Sequence, residues 1–173
     1  FARDGKHRFV SPRIHYSDGR FQFSCRLLPT PSNLFLRRFF PQWGAKLDLK
    51  YEIQRADYTK SFSVPSVSGC FMLLESMLLK RLEGFDERYF MYLEDVDLCR
   101  RALSMTDIIY FPGATIIHVF GKGSYKNLNL FIYHMKSVVL YFNKWGWFYD
   151  PLRSKANQKC LKTIPMTWSD KSQ

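Results

Sequence analysis

The stretch VSGCFMLLESMLLKRLEGFDERYFMYLEDVDLCRRA, from Val67 to Ala102, decides the fold class. Its opening, read with the residues just before it as VPSVSGCFMLL, is an unbroken apolar run of the kind that forms a strand buried on both faces. ESMLLKRL then has helical spacing, with Met77, Leu78 and Leu82 on one face and Gly84 just past the end as a helix stop. FDERYFMYL reads as an aromatic loop. EDVDLCRRALSM reads as a second helix, with Glu94, Asp95 and Asp97 in its first turn and Arg100 and Arg101 behind them. Acids at the start and bases further on both suit the helix dipole.

Downstream, DIIYFPGATIIHVF predicts two short strands broken at Pro112 and Gly113. A glycine-containing loop, GKGSYKN, follows. Residues 128–149 predict a long helix with Phe131, Met135, Val138, Phe142 and Trp145 along one face. Upstream, Ser17-Asp18-Gly19 separates two alternating runs, a hairpin signal. Residues 29–60 hold Pro29, Pro31 and Pro41 and predict an irregular excursion with one short helix at 34–40. The order strand, helix, loop, helix, strand predicts an α/β layered structure. It fills residues 1–150, and 151–173 form a basic, polar tail expected to be poorly ordered.

Bulk properties narrow the function. At 173 residues, 46% hydrophobic and 17% aromatic, the chain can build a core. No stretch reaches the roughly 18 consecutive apolar residues that span a bilayer. Phe1 opens on what reads like mid-domain sequence, so an excerpt of a longer protein is expected. Cys25, Cys70, Cys99 and Cys160 are scattered, which argues against a zinc site and for a reduced, cytoplasmic setting. Cys70 and Cys99 read as small core residues. The net charge of +11 is uneven. Residues 1–60 carry 12 basic and 5 acidic side chains, residues 61–118 carry 5 and 8, and residues 119–173 carry 9 and 2. Basic flanks suit an anionic partner, while the acidic middle argues against a nucleic-acid coat.

Glu94, Asp95 and Asp97 have two readings. One is an acidic helix start. The other is a site, because an acid beside an apolar wall has a raised pKa and can act as a general base. His118 closes a strand some twenty residues later and is either structural or a metal ligand. The glycine-containing loop offers Lys122, Ser124 and Lys126 to an anion.

The opening stretch, with YFPGATIIHVFGKGS and HMKSVVLYFNKWGW, resembles the C-terminal half of the family 2 glycosyltransferases of GT-A fold, nearest their bacterial rhamnosyltransferase-like branch. The resemblance covers about 11–147, and its GFDE-through-ED run is specific. It implies part of a GT-A fold, a mixed sheet flanked by helices, without the N-terminal nucleotide-binding βαβ portion. It implies that Asp95 is the general base of an inverting sugar transfer, with Glu94 and Asp97 on the acceptor side and Asp97 also orienting the helix. It implies that Gly69 lets backbone approach the sugar, that Lys122 and Ser124 cover the leaving diphosphate, and that His118 helps bind a divalent Mg or Mn ion. That ion would also need a DxD motif from the preceding half. Asp95-Val96-Asp97 is not read as that motif, because it opens a helix behind GFDE. The family usually has a glycine where this chain has LSMTDIIYF.

The implied partners are a nucleotide-sugar donor, of a deoxyhexose such as rhamnose, and a growing polysaccharide or lipid-linked glycan. No nucleic acid is expected. The implied place is cytoplasmic, peripheral on the inner face of the cell membrane. The chain by itself is expected to be inactive. The competing reading is a non-catalytic basic module that holds an anionic glycan, membrane surface or nucleic acid.

Overall fold

The computed structural model describes residues 6–39, 49–119 and 127–167. Its centre is a pair of parallel strands, β1 (Phe9–His15) and β6 (Ile108–Ile117). β1 buries Phe9, Val10 and Ile14, and β6 is rich in Ile; such residues suit a pleated, buried surface. β3 (Phe62–Val64) lies antiparallel on β6, and β5 (Leu73–Leu74) lies antiparallel on β1. The four strands therefore run β3-β6-β1-β5 in one mixed sheet. β2 (Cys25–Arg26) and β4 (Ser66–Val67) make a separate antiparallel pair.

Pro112 and Gly113 do not end a strand. β6 is continuous, and the register against β1 jumps from Pro12↔Phe111 to Arg13↔Thr115. The extra residues bulge out, which lets the strand pass a proline without losing its partner. A Cβ on Gly113 would lie 2.5 Å from the tip of the Phe111 ring, so a larger residue there would have to shift that ring.

The run Ser63–Leu74 differs from the expected single buried strand. It breaks into β3, β4 and β5. Pro65 separates the first two, and β4 leaves the main sheet to pair with β2. A turn at Gly69 and Cys70 separates β4 from β5. Cys70 is accordingly half-buried, whereas Cys25, Cys99 and Cys160 are buried, and all four are free thiols. The edge strand β5 leaves Leu73 47% exposed.

Helix α1 (Pro31–Phe39) follows β2, and α2 (Ser76–Arg81) follows β5. In α2, Leu78 and Leu82 are buried, but Met77 is 53% exposed. Leu78 and Leu82 are four apart and share a face; Met77 sits about 100° away from Leu78. Helix α3 (Glu94–Ala102) is shared by two cores. Leu98, Cys99 and Ala102 join Phe9, Val64, Leu78 and Ile108 beneath the sheet. Leu93 and Val96 join Leu28, Tyr89, Val138, Tyr141 and Phe142.

Helix α4 (Leu128–Trp145) buries Val138, Tyr141 and Phe142, while Phe131, Met135 and Trp145 are only half-buried. Helix α5 (Pro151–Thr163) overturns the expectation of a poorly ordered tail. Asp150 caps it by accepting the Arg153 N–H at 2.9 Å, and Pro151 fills the first turn, where no N–H is needed. Asn157 bonds both the N–H and the C=O of Leu28, at 2.8 and 2.9 Å. The buried carboxylate of Asp150 also takes both terminal nitrogens of Arg100, at 2.6 and 2.7 Å. That bidentate pair fastens α5 to α3.

Candidate active site

The chain enters α3 through a strained backbone. Tyr92 and Leu93 both have left-handed φ, at 71° and 64°. Neither is glycine, and such residues cost about 1–3 kcal/mol each. Packing holds them: Leu93 is buried in the second core, and the Tyr92 ring lies 5.0 Å from the ring of His134 on α4. The turn swings the first residues of α3 toward the Gly69 turn.

Asp95 and Gly69 meet there. The Gly69 N–H donates to Asp95 Oδ2 at 2.8 Å, and the Val96 N–H donates to Asp95 Oδ1 at 2.8 Å. Both oxygens are thus oriented by backbone donors that cannot rotate away. A Cβ on Gly69 would lie 3.1 Å from Asp95 Cβ. Gly69, expected to let backbone approach a sugar, thus lies directly against the Asp95 carboxylate. Cys99 ties the same corner together from below, its Sγ 3.5 Å from the Val67 N–H.

Glu94 is half-buried, and its Oε2 has no hydrogen-bond partner among the described residues. Burial pushes its pKa above the usual carboxylate range, and the adjacent charge of Asp95 adds to the shift.

Asp97 departs from its expected place on the acceptor side. It is fully buried. Its Oδ2 accepts from Arg101 Nε at 2.8 Å, and its Oδ1 accepts from Trp145 Nε1 at 2.7 Å. Lys144 Nζ lies 2.8 Å from Asp97 Oδ1 and 2.8 Å from Asp86 Oδ2. The GFDE aspartate, Asp86, is itself bound by Arg88 at 2.7 Å, so its carboxyl is held well below the usual range. Asp97 therefore orients α3 from inside and has no face to offer a ligand. Sequence periodicity gave no sign of Trp145 and Lys144 converging on it. The signal available was that two donors, Lys144 and Trp145, end a long helix.

His118 follows the end of β6. Its N–H donates to the His15 C=O at 2.8 Å, and its Nδ1 lies 3.2 Å from the Gln22 side-chain amide. Among the described residues no three His, Cys, Asp or Glu side chains are placed to hold a metal ion. The donors present therefore do not make a divalent-metal site by themselves. Lys122 and Ser124 lie outside the described residues.

The arrangement is a half-exposed carboxylate, fixed by two backbone N–H groups, beside a second, half-buried one whose pKa burial raises. Such a pair can take a proton from a hydroxyl brought to it.

No protein-family model matches the chain, and no solved structure matches it. Curated proteins do. The chain is 33% identical over 154 residues to N-acetylglucosaminyl-diphospho-decaprenol L-rhamnosyltransferase of Mycobacterium tuberculosis, a match covering 83% of this chain and 48% of that protein. It is 37% identical over 76 residues to Rhamnosyltransferase WbbL of Escherichia coli K12, covering 43% of this chain and 29% of that protein. The chain spans about half the length of the mycobacterial relative and less of the other. By these matches it is a rhamnosyltransferase-like sequence, corresponding to part of a longer protein in each relative.

Proposed function

We propose that the chain is the acceptor-side part of an inverting family 2 glycosyltransferase of GT-A architecture. The carboxylate of Asp95, fixed by the Gly69 and Val96 N–H groups at a helix start, is the observation that carries this reading. Asp95 takes the proton from an acceptor hydroxyl. The freed oxygen attacks the anomeric carbon of the donor as the bond to the diphosphate breaks, and the configuration inverts. The donor is a nucleotide-activated deoxyhexose, with rhamnose suggested by the names of both relatives. The acceptor is a lipid-linked diphospho-sugar, as in the name of the mycobacterial relative. The working place is the inner face of the membrane. Donor binding and any metal need residues beyond the described ones, and the 173-residue chain alone is expected to be inactive.

One observation favours a second assignment of the base. Glu94 has a carboxyl raised by burial and by the neighbouring Asp95 charge, and an oxygen that no described residue binds. The test is sugar transfer by the complete protein carrying Asp95→Asn or Glu94→Gln, with a dTDP-rhamnose donor and a diphospho-lipid acceptor. Loss of turnover with retained acceptor binding in Asp95→Asn supports the first assignment. Loss confined to Glu94→Gln transfers the role to Glu94. Full activity of both variants removes the transferase reading of this site.

A further inference from the structure

Helix α4 carries a second apolar face that the fold does not use. Leu128, Ile132, Met135 and Val139 follow steps of four, three and four, so they form one stripe about 17 Å long at 1.5 Å per residue. The stripe lies beside, not on, the face that buries Val138, Tyr141 and Phe142. Leu128 is 72% exposed, Ile132 42% and Val139 43%. With Phe131 and Leu140, the last three residues of the stripe line an open groove of about 520 Å³, and Lys136 stands at its rim.

The exposed charge of the segment that carries this face has one sign. Between residues 127 and 167 the only carboxylate is Asp150, which is buried against Arg100. Lys136, Lys155, Lys159 and Lys162 are exposed in the same segment. Lys159 shares its charge with Asp107, 3.1 Å away, and Lys144 turns inward onto Asp86 and Asp97. Phe148, Tyr149 and Leu152 add 88%, 86% and 68% exposed apolar side chains between α4 and the lysines of α5. Apolar side chains set among lysines, with no exposed acid in the segment, match the interface of an anionic bilayer. A second copy fits poorly, because a chain of net charge +11 would press like charges together. Among the described residues no helix is long and apolar enough to cross a membrane, so α4 would lie along the surface.

We infer that the outer face of α4, from Leu128 to Val139, docks on the surface of an anionic phospholipid bilayer. The same helix carries Tyr133, whose ring is 4.6 Å from that of Phe90, and His134, which meets Tyr92. Those two aromatics stand just ahead of Glu94 and Asp95. Docking on this face therefore holds the candidate base near the lipid. The surface rests on its own geometry; its purpose, access to a lipid-linked acceptor, rests on the reading proposed above.

The test is co-sedimentation of the 173-residue chain, and of the complete protein, with phosphatidylcholine vesicles with and without phosphatidylglycerol. Both proteins are expected to bind the mixed vesicles, to bind pure phosphatidylcholine at least tenfold more weakly, and to release as salt rises. Ile132→Asp/Val139→Asp is expected to lower binding at least tenfold with an unchanged circular dichroism spectrum. Leu128→Asp, at the most exposed position, serves if the double variant does not fold. No binding to mixed vesicles overturns the inference, as does binding that either folded variant leaves intact. A dimer that these variants dissolve also overturns it, since a second copy then covers the face. Asp95→Asn is expected to keep vesicle binding, so failure of the catalytic assignment is seen separately.

Discussion

The two ends of α3 are built on opposite terms. Its first turn carries the half-exposed carboxylates of Glu94 and Asp95, entered through two left-handed residues, with one oxygen that no described residue binds. Its second half carries Arg100, buried, paired bidentately with Asp150 and stacked 4.4 Å over the Trp145 ring. One end keeps reactive groups accessible. The other locks the helix to α4 and α5. The comparison teaches that the candidate site borrows its rigidity from ion pairs placed at its back, away from any substrate.

The largest expected effect breaks the front end alone. Asp95→Asn in the complete protein is expected to lower kcat about 10²–10⁴-fold, the usual worth of a general base, with little change in melting temperature. A large loss of stability instead would mean that Asp95 is structural like Asp97.

Breaking the back end should do the reverse. Asp150→Ala leaves Arg100 buried without its partner and is expected to cost about 3–5 kcal/mol in urea unfolding. Acid should reproduce part of this. Burial raises the Asp150 carboxyl, but the Arg100 hydrogen bonds outweigh it and hold the pKa below its ordinary value of 3.8. A carboxyl lowered on folding stabilises above its unfolded pKa, and this stabilisation is lost as pH falls toward and through the folded one. The acid unfolding profile of Asp150→Asn should therefore be flatter than that of the parent.

Gly69→Ala probes the contact that joins the front end to the β4 turn. A Cβ placed 3.1 Å from Asp95 Cβ makes the Asp95 side chain give by a few tenths of an ångström, which shifts its carboxylate against the Gly69 N–H. About a tenfold loss of kcat is expected, since misplacing a reacting group by an ångström costs up to about 100-fold. Unchanged kcat would show that the alignment of Asp95 is not limiting.

The smallest effect sharpens the comparison by pH. Glu94 is raised above 4.5 by burial and by Asp95, so its ionisation opposes folding. Its contribution is favourable below the unfolded pKa and is lost as pH rises through the folded one. Glu94→Gln is expected to melt slightly higher than the parent at pH 7, and the difference should vanish at about pH 4.

Much of this was legible in the residues. The α/β layering and the acidic start of α3 follow from apolar spacing and helix signals, and the mixed sheet flanked by helices was implied by the family resemblance. The broken strand was not, because an apolar run such as SVPSVSGCFMLL does not say which partner each piece will find. Pro65 and Gly69 mark the breaks only once β2 is known to take the middle piece. Helix α5 was masked by its polar composition, although Asp150-Pro151 is a sound start signal. Within EDVD, spacing placed all three acids in one turn. It could not say that Trp145, Lys144 and Arg101 would enclose Asp97, since that depends on where α4 ends in space.

The Gly69–Asp95 contact also bears on how such sequences drift. Two positions 26 residues apart share one small volume, with a side chain from one and none from the other. A larger residue at the first position crowds the side chain at the second. Among relatives that align through this stretch, a larger residue at the first position should appear only where the second has shortened or been lost, and with it the carboxylate. The pair would then serve as a marker of which copies still hold a working base and which have kept only the scaffold.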